Sequence, residues 1–392
     1  MSGFTSGGEE LDRIFFTDSQ LVDQFVGTSL WSCGYNNFGC VGDGTTINKS
    51  SPVTISGGDT TWATISSGGT GEAGIKTDGT LWTWGWNFYG NLGANSQVSR
   101  SSPGTTSGGG TTWAAVCAGG SNMFAIKTDG TLWSCGYGGT GILGTGTTTN
   151  RSSPGTTAGG GTNWKQVSAP SQSFNTSTLF ASGVKLDGTL WTWGNNQYGV
   201  LGAGTTVNRS SPQTVAGGGT NWKSVSCGYT HASGLKSDGT IWTWGRNTNG
   251  QLGDGTTLDR SSPVTTSGGG TTWKQVSSGA YFCSALKYDG TIWTWGYNLN
   301  GSLGNNAITN SSSPGTISGG GTTWKSISVG GRNVCALKTD NTLWIWGFNS
   351  VGQLGDGTTL DKSSPVTTSG GGFQNWKSIS CGYQTLAMLG QI

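Results

Sequence analysis

Short stretches in which large and polar side chains alternate run through the chain, broken by glycine. Trp222-Lys-Ser-Val-Ser has the pattern of a half-buried strand ended by Gly228, and Ala232 to Lys236 forms a second. A third, Thr240-Ile-Trp-Thr-Trp, sets Ile241 and Thr243 on one face and Trp242 and Trp244 on the other. Between the second and third lies Asp238-Gly239, which predicts a two-residue type I′ hairpin, because both central residues of that turn need positive φ. Gly245 and a variable stretch follow, then Gly250-Gln-Leu-Gly253, read as a short fourth element. No segment carries a helical period.

The same unit returns seven times. A Leu-Trp or Ile-Trp pair supplies Trp31, Trp82, Trp133, Trp191, Trp242, Trp293 and Trp344, a step of 51 residues broken once by the 58 from Trp133 to Trp191. A second series, Trp62, Trp113, Trp164, Trp222, Trp273, Trp324 and Trp376, keeps nearly that step, as does a Ser-Ser-Pro triplet ending at Pro52 through Pro365. Repeats of about 50 residues mark architectures in which one unit cannot bury its own apolar face and needs neighbours. Three or four antiparallel strands per unit predict an all-β, seven-bladed β-propeller over residues 28–392. The chain ends on the first two strands of a unit, Trp376-Lys-Ser-Ile-Ser and Thr385-Leu-Ala-Met-Leu, and the propeller begins on a third strand, Ser29 to Cys33. The two ends are therefore expected to complete one blade between them, leaving no open sheet edge.

Composition sharpens this picture. Gly is 74 of 392 residues, yet 20 Trp, 12 Phe and 9 Tyr at fixed phase are what a packed core needs. Charged residues are 10% and the net charge is +2, which argues against nucleic-acid binding and against an anionic membrane as partner. No apolar run is long enough to span a bilayer and residues 1–8 lack a secretion signal, so no membrane insertion is expected. Eight cysteines occur without a Cys-x-x-Cys pair, and Cys33 and Cys135 stand in a slot that is Trp84, Trp193, Trp244, Trp295 and Trp346 elsewhere. They are expected to be small buried hydrophobes, and neither a metal nor a cofactor is expected.

Enzymatic chemistry has little to work with. The single histidine, His231, follows Cys227 by four residues, but neighbouring units carry Phe282 and Val334 in that region, so a core or loop role is expected. Gly217-Gly-Gly-Thr-Asn-Trp lacks the glycine a phosphate loop needs before its lysine. Basic residues before Ser-Ser-Pro (Lys49, Arg100, Arg151, Arg209, Arg260, Lys362) are expected to make one local ion pair or hydrogen bond per blade.

What varies is the loop after each Trp-Gly or Cys-Gly. It presents Tyr35, Phe38, Trp86, Phe88, Tyr89, Tyr137, Tyr198, Arg246, Tyr297 and Phe348, predicted to open on one end of the ring as a rim for a protein or a surface glycan. Gln172, Phe174 and Asn175 mark an insertion loop in the long repeat. Leu11, Ile14, Phe15, Phe16, Leu21 and Phe25 give residues 1–27 the look of a docking arm.

The segment Trp244-Gly-Arg-Asn-Thr-Asn-Gly-Gln-Leu-Gly-Asp-Gly, its counterpart from Trp346, and the upstream Leu-Lys-x-Asp-Gly resemble the regulator of chromosome condensation (RCC1) repeat. That resemblance implies a seven-bladed propeller, a fold that serves exchange factors, inhibitors, photoreceptors and adhesive modules alike. The uniform, Gly- and Thr-rich copies behind a short leader also resemble propeller proteins of tailed bacteriophage virions. The expectation drawn is a non-enzymatic virion protein, made in the host cytoplasm. It would bind other virion proteins through its arm and a host surface glycan or protein through its rim. The alternative is a soluble cellular protein-binding propeller, such as an inhibitor or exchange factor.

Overall fold

The structure is a computed structural model and describes residues 28–159, 161–171, 176–268, 270–369 and 375–391. Its strands form seven four-stranded antiparallel sheets. Blades 1 to 6 begin at Trp62, Trp113, Trp164, Trp222, Trp273 and Trp324, and each runs outward in chain order. In blade 4 the strands are Trp222–Cys227, His231–Lys236, Ile241–Gly245 and Arg260–Thr265.

Two local expectations need correcting. Gly250 to Gly253 is a turn, and the fourth strand is Arg260–Thr265, the Ser-Ser-Pro segment. Pro263 is tolerated there because this strand lies outermost and needs no second ladder of hydrogen bonds. The Asp-Gly hairpin is also not a two-residue type I′ turn. Gly239 N donates to Lys236 O at 3.0 Å, Lys236 N donates to Thr240 O at 3.0 Å, and only Gly239 has positive φ, +78°. This is a three-residue loop, a turn followed by a left-handed glycine in a bulge.

Blade 7 takes strands from both ends, in the order Lys49–Thr54, Thr28–Gly34, Thr385–Gln391, Trp376–Cys381. Seven residue pairs from Thr28↔Gln391 to Gly34↔Thr385 join the first strand to the last, so the expected closure is present.

Blades stack face to face, which buries both faces of the third strand: Ile241, Thr243 and Trp244 are enclosed, and Trp242 is half-buried. Each inner Trp meets Trp partners at its own blade, as with Trp222 and Trp244 at 6.0 Å between ring centres. The Trp244 indole N–H donates to Val200 O of the preceding blade at 2.8 Å. Cys135, in the same slot, is fully buried and faces Asn91 O at 3.6 Å.

Around the axis a belt of hydroxyls joins the inner strands. Ser66, Ser168, Ser226, Ser277, Ser328 and Ser380 each accept the backbone N–H of the next blade, from Ala118, Cys227, Ser278, Val329, Cys381 and Ser67. The belt encloses an axial cavity of about 100 Å³. No helix among the described residues is long and apolar enough to cross a membrane.

Candidate functional site

Because strands alternate in direction, the loops after the first and third strands of every blade share one face of the ring. A fixed hydrogen bond ties them together. The residue after each third-strand glycine donates its N–H to the loop behind the inner strand: Tyr35 to Gln384 O, Trp86 to Thr70 O, Tyr137 to Ser121 O, Arg246 to Thr230 O, Tyr297 to Tyr281 O and Phe348 to Arg332 O, all at 2.8–3.0 Å. The residue that follows it is then pinned from within. Asn247 is fully buried, its Oδ1 accepts Leu252 N at 2.9 Å, and its Nδ2 donates to Asp254 and to Thr256 O. Asn36, Asn87, Asn298 and Asn349 do the same work. These asparagines were readable from their fixed place after Trp-Gly, but their small size hid their role in holding the rim.

On this scaffold the rim aromatics of blades 7, 1 and 2 form one connected arc. Ring centres lie 6.2 Å apart for Tyr35 and Phe38, 6.3 Å for Phe38 and Trp86, 5.5 Å for Trp86 and Tyr89, and 5.0 Å for Tyr89 and Tyr137. Trp86 and Phe88 stack with planes 10° apart. The arc stays open to water: Phe88 is 61% exposed and Phe38 36%. Tyr198, Arg246, Tyr297 and Phe348 lie on the same face in blades 3 to 6. Arg246 sits 4.8 Å over the Tyr198 ring. Tyr229, Tyr281 and Arg332, which sequence reasoning passed over, join them from the loops behind the inner strands, two or three residues past the strand's last residue. Gln172, Phe174 and Asn175 and the arm residues of 1–27 lie outside the described residues.

The basic positions before Ser-Ser-Pro act locally. Lys49, Arg260 and Lys362 pair with Asp43, Asp254 and Asp356 at 3.1, 2.9 and 3.2 Å, and Arg100 donates to Thr105 O.

The opposite face is uniform. In blades 1 to 6 a lysine such as Lys236 lies over two Trp rings, 4.8 Å from Trp222 and 4.1 Å from Trp242. Asp238 accepts both the N–H and the hydroxyl of Thr240, whose oxygen in turn accepts the Trp242 indole N–H.

His231 does not meet Cys227. It is fully buried with Nε2 3.2 Å from Cys283 Sγ of blade 5. Burial holds the imidazole down to about 3 and pushes the Cys283 thiol up to about 12, so both are neutral at physiological pH. A neutral, enclosed pair lacks the thiolate a nucleophile requires.

The model of the Regulator of chromosome condensation (RCC1) repeat matches residues 29–71, 78–126, 187–235, 238–286, 289–337 and 340–389. The chain belongs to this family. It is similar to the ultraviolet-B receptor UVR8 of Arabidopsis thaliana, with 30% identity over 331 residues, 83% of this chain and 74% of that protein. The mitochondrial RCC1 domain-containing protein RUG3 of the same plant is 29% identical over 72% of the chain and 65% of its own length. Among solved structures, human WBSCR16 superposes with TM-score 0.81 at 18% identity, covering 93% of this chain and 99% of that one. Prp20p of Saccharomyces cerevisiae gives TM-score 0.83 at 18%, covering 97% and 93%.

These relatives are cellular proteins, which overturns the expectation of a virion component and, with it, virion partners for the arm. The composition that suggested a particle has a packing origin instead. At Gly253, φ +66°, an added Cβ would lie 2.6 Å from the Trp295 indole nitrogen, and Gly202 and Gly304 meet Trp244 and Trp346 in the same way. At this position Gly recurs because the neighbouring blade leaves no room for a side chain.

Proposed function

We propose that this chain is a non-catalytic, protein-binding propeller of the cellular kind, which engages its partner with the loop face. The single observation that carries the reading is the aromatic arc from Tyr35 through Trp86 to Tyr137, a continuous run of ring contacts spanning three blades. Aromatic rings anchored from below give large contact area with little entropy left to lose, the usual make-up of an interface centre. The neutral, enclosed His231 and Cys283 favour binding over catalysis. Prp20p, characterised for its binding to Gsp1p and histones, shares the fold and makes a protein partner the natural class.

The test is quantitative affinity capture with the wild type and with a Phe38→Ala/Phe88→Ala variant of unchanged melting temperature. Each anchor contributes roughly 2 kcal/mol, so proteins recovered by the wild type fall at least tenfold with the variant. Undiminished recovery contradicts the reading. Arc-dependent retention on a glycan array, without protein capture, transfers the site to a sugar.

A further inference from the structure

We propose that blades 3 to 6 of the loop face hold a second, cationic subsite, formed by Arg246 and Arg332, that binds the carboxylates of an acidic protein segment. This inference rests on the loop face being the binding face and adds the partner's chemistry.

Neither arginine is required by the frame. Arg246 occupies the position that is Tyr35, Trp86, Tyr137, Asn195, Tyr297 or Phe348 in the other blades. Arg332 occupies the one that is Thr70, Ser121, Thr230, Tyr281 or Gln384. Both guanidinium groups are held by aromatic faces. Arg332 lies 5.6 Å over Tyr297 and 5.9 Å over Phe348, and Arg246 lies 4.8 Å over Tyr198. Tyr281 lies between the two: its ring centre is 6.2 Å from Tyr297 and 5.6 Å from Tyr229, whose neighbour Thr230 accepts the Arg246 backbone N–H at 2.8 Å. Stacking uses the flat face of a guanidinium and leaves its edge of N–H donors free for a forked contact with a carboxylate.

Among the described residues those donors are unused. Of the loop-face carboxylates, Asp43, Asp254 and Asp356 are committed to Lys49, Arg260 and Lys362, while Asp259 and Asp361 accept the backbone N–H of Asn247 and Asn349. Among the described residues neither Arg246 nor Arg332 has an ion-pair partner, and the buried Arg332 Nε has no hydrogen-bond acceptor. Two cations on a chain of net charge +2 are too few to follow a phosphate backbone, whereas they suit a few carboxylates placed beside an apolar anchor.

Fluorescence anisotropy with a labelled octaglutamate peptide, and octaglutamine as control, tests this on the full chain. The glutamate peptide binds at low salt, the glutamine peptide does not, and added salt weakens the complex. Arg246→Gln and Arg332→Gln each weaken binding about tenfold, the worth of one charge-assisted hydrogen bond. Arg332→Lys, which keeps the charge but not the planar fork, weakens it too. Phe38→Ala/Phe88→Ala leaves octaglutamate binding intact, so failure of the aromatic arc and failure of the arginine subsite are read separately. The absence of octaglutamate binding overturns the proposal. So does unchanged binding in a folded Arg246→Gln/Arg332→Gln variant, or tighter binding of an equally long single-stranded DNA.

Discussion

Glu72 stands where the other blades carry Met123, Ala181, Ala232, Cys283, Val334 or Leu386, and it is enclosed between blades 1 and 7. Its carboxyl accepts hydrogen bonds from Ser67 Oγ at 2.7 Å and from Thr385 Oγ1 of the last strand at 2.6 Å. Burial pushes it up to about 8 in spite of those two hydroxyls. Since the folded state holds this proton more tightly than the unfolded chain, its contribution to stability is complete below the ordinary carboxylate range. That contribution fades as pH rises towards 8. His231 works in the opposite direction, adding stability as pH rises to its ordinary value near 6.5, so the interval from there to 8 isolates Glu72. Urea unfolding of the wild type therefore shows falling stability across that interval, by up to ~2 kcal/mol. Glu72→Gln flattens the slope and is the more stable protein at pH 8; a retained slope assigns the pH dependence elsewhere. At this scale the sequence is least legible. The neighbours of Glu72 and His231 lie 313 and 52 residues away and become neighbours only through ring curvature.

The hairpin between the second and third strands shows what an element demands of one residue. Gly239 has φ +78°, and an added Cβ would collide with the carbonyl of Thr271, which belongs to the next blade's connection. Gly218, φ +54°, faces open space. Ala at position 218 pays only for the left-handed backbone, about 1 kcal/mol. Gly239→Ala adds the collision and costs at least ~2 kcal/mol. Equal losses in chemical denaturation would mean that Thr271 gives way freely. Strands one to three were legible because Trp, Gly and β-branched residues fall on a period of two. The fourth was not, since its Ser-Ser-Pro carries the residue that ordinarily argues against a strand, and only the outermost position in the blade removes that objection. The hairpin's place was equally clear from Asp-Gly, but its geometry depends on how Lys236 and Thr240 pair, which the dipeptide does not encode.

The whole ring is held shut by the seven-residue pairing of Thr28–Gly34 with Thr385–Gln391, reinforced by Glu72 with Thr385 and by Ser380 with Ser67 N. Removing residues 376–392 strips blade 7 of two strands and bares the edge of Thr28–Gly34. The truncated protein is predicted to melt lower and to self-associate in light scattering; a monomer with unchanged melting would show that the closure contributes nothing. The number of blades and their closure were legible because every copy repeats the same landmarks and the termini divide one copy between them. The arc was legible only as a set of aromatic positions, because contact between Phe38 and Trp86 requires two adjacent blades to meet at the rim. A closed frame whose back face repeats the same lysine, tryptophan and Asp-x-Thr contacts from blade to blade leaves the loop face as the place where this chain differs most from its own repeats. The most direct measurement is hydroxyl-radical footprinting of the chain alone and with its captured protein partner. Protection concentrated on Phe38, Trp86, Phe88 and Tyr89, with the exposed back-face residues Tyr288 and Leu186 unchanged, is the predicted result. Protection of Tyr288 and Leu186 with an unaltered arc would contradict the account.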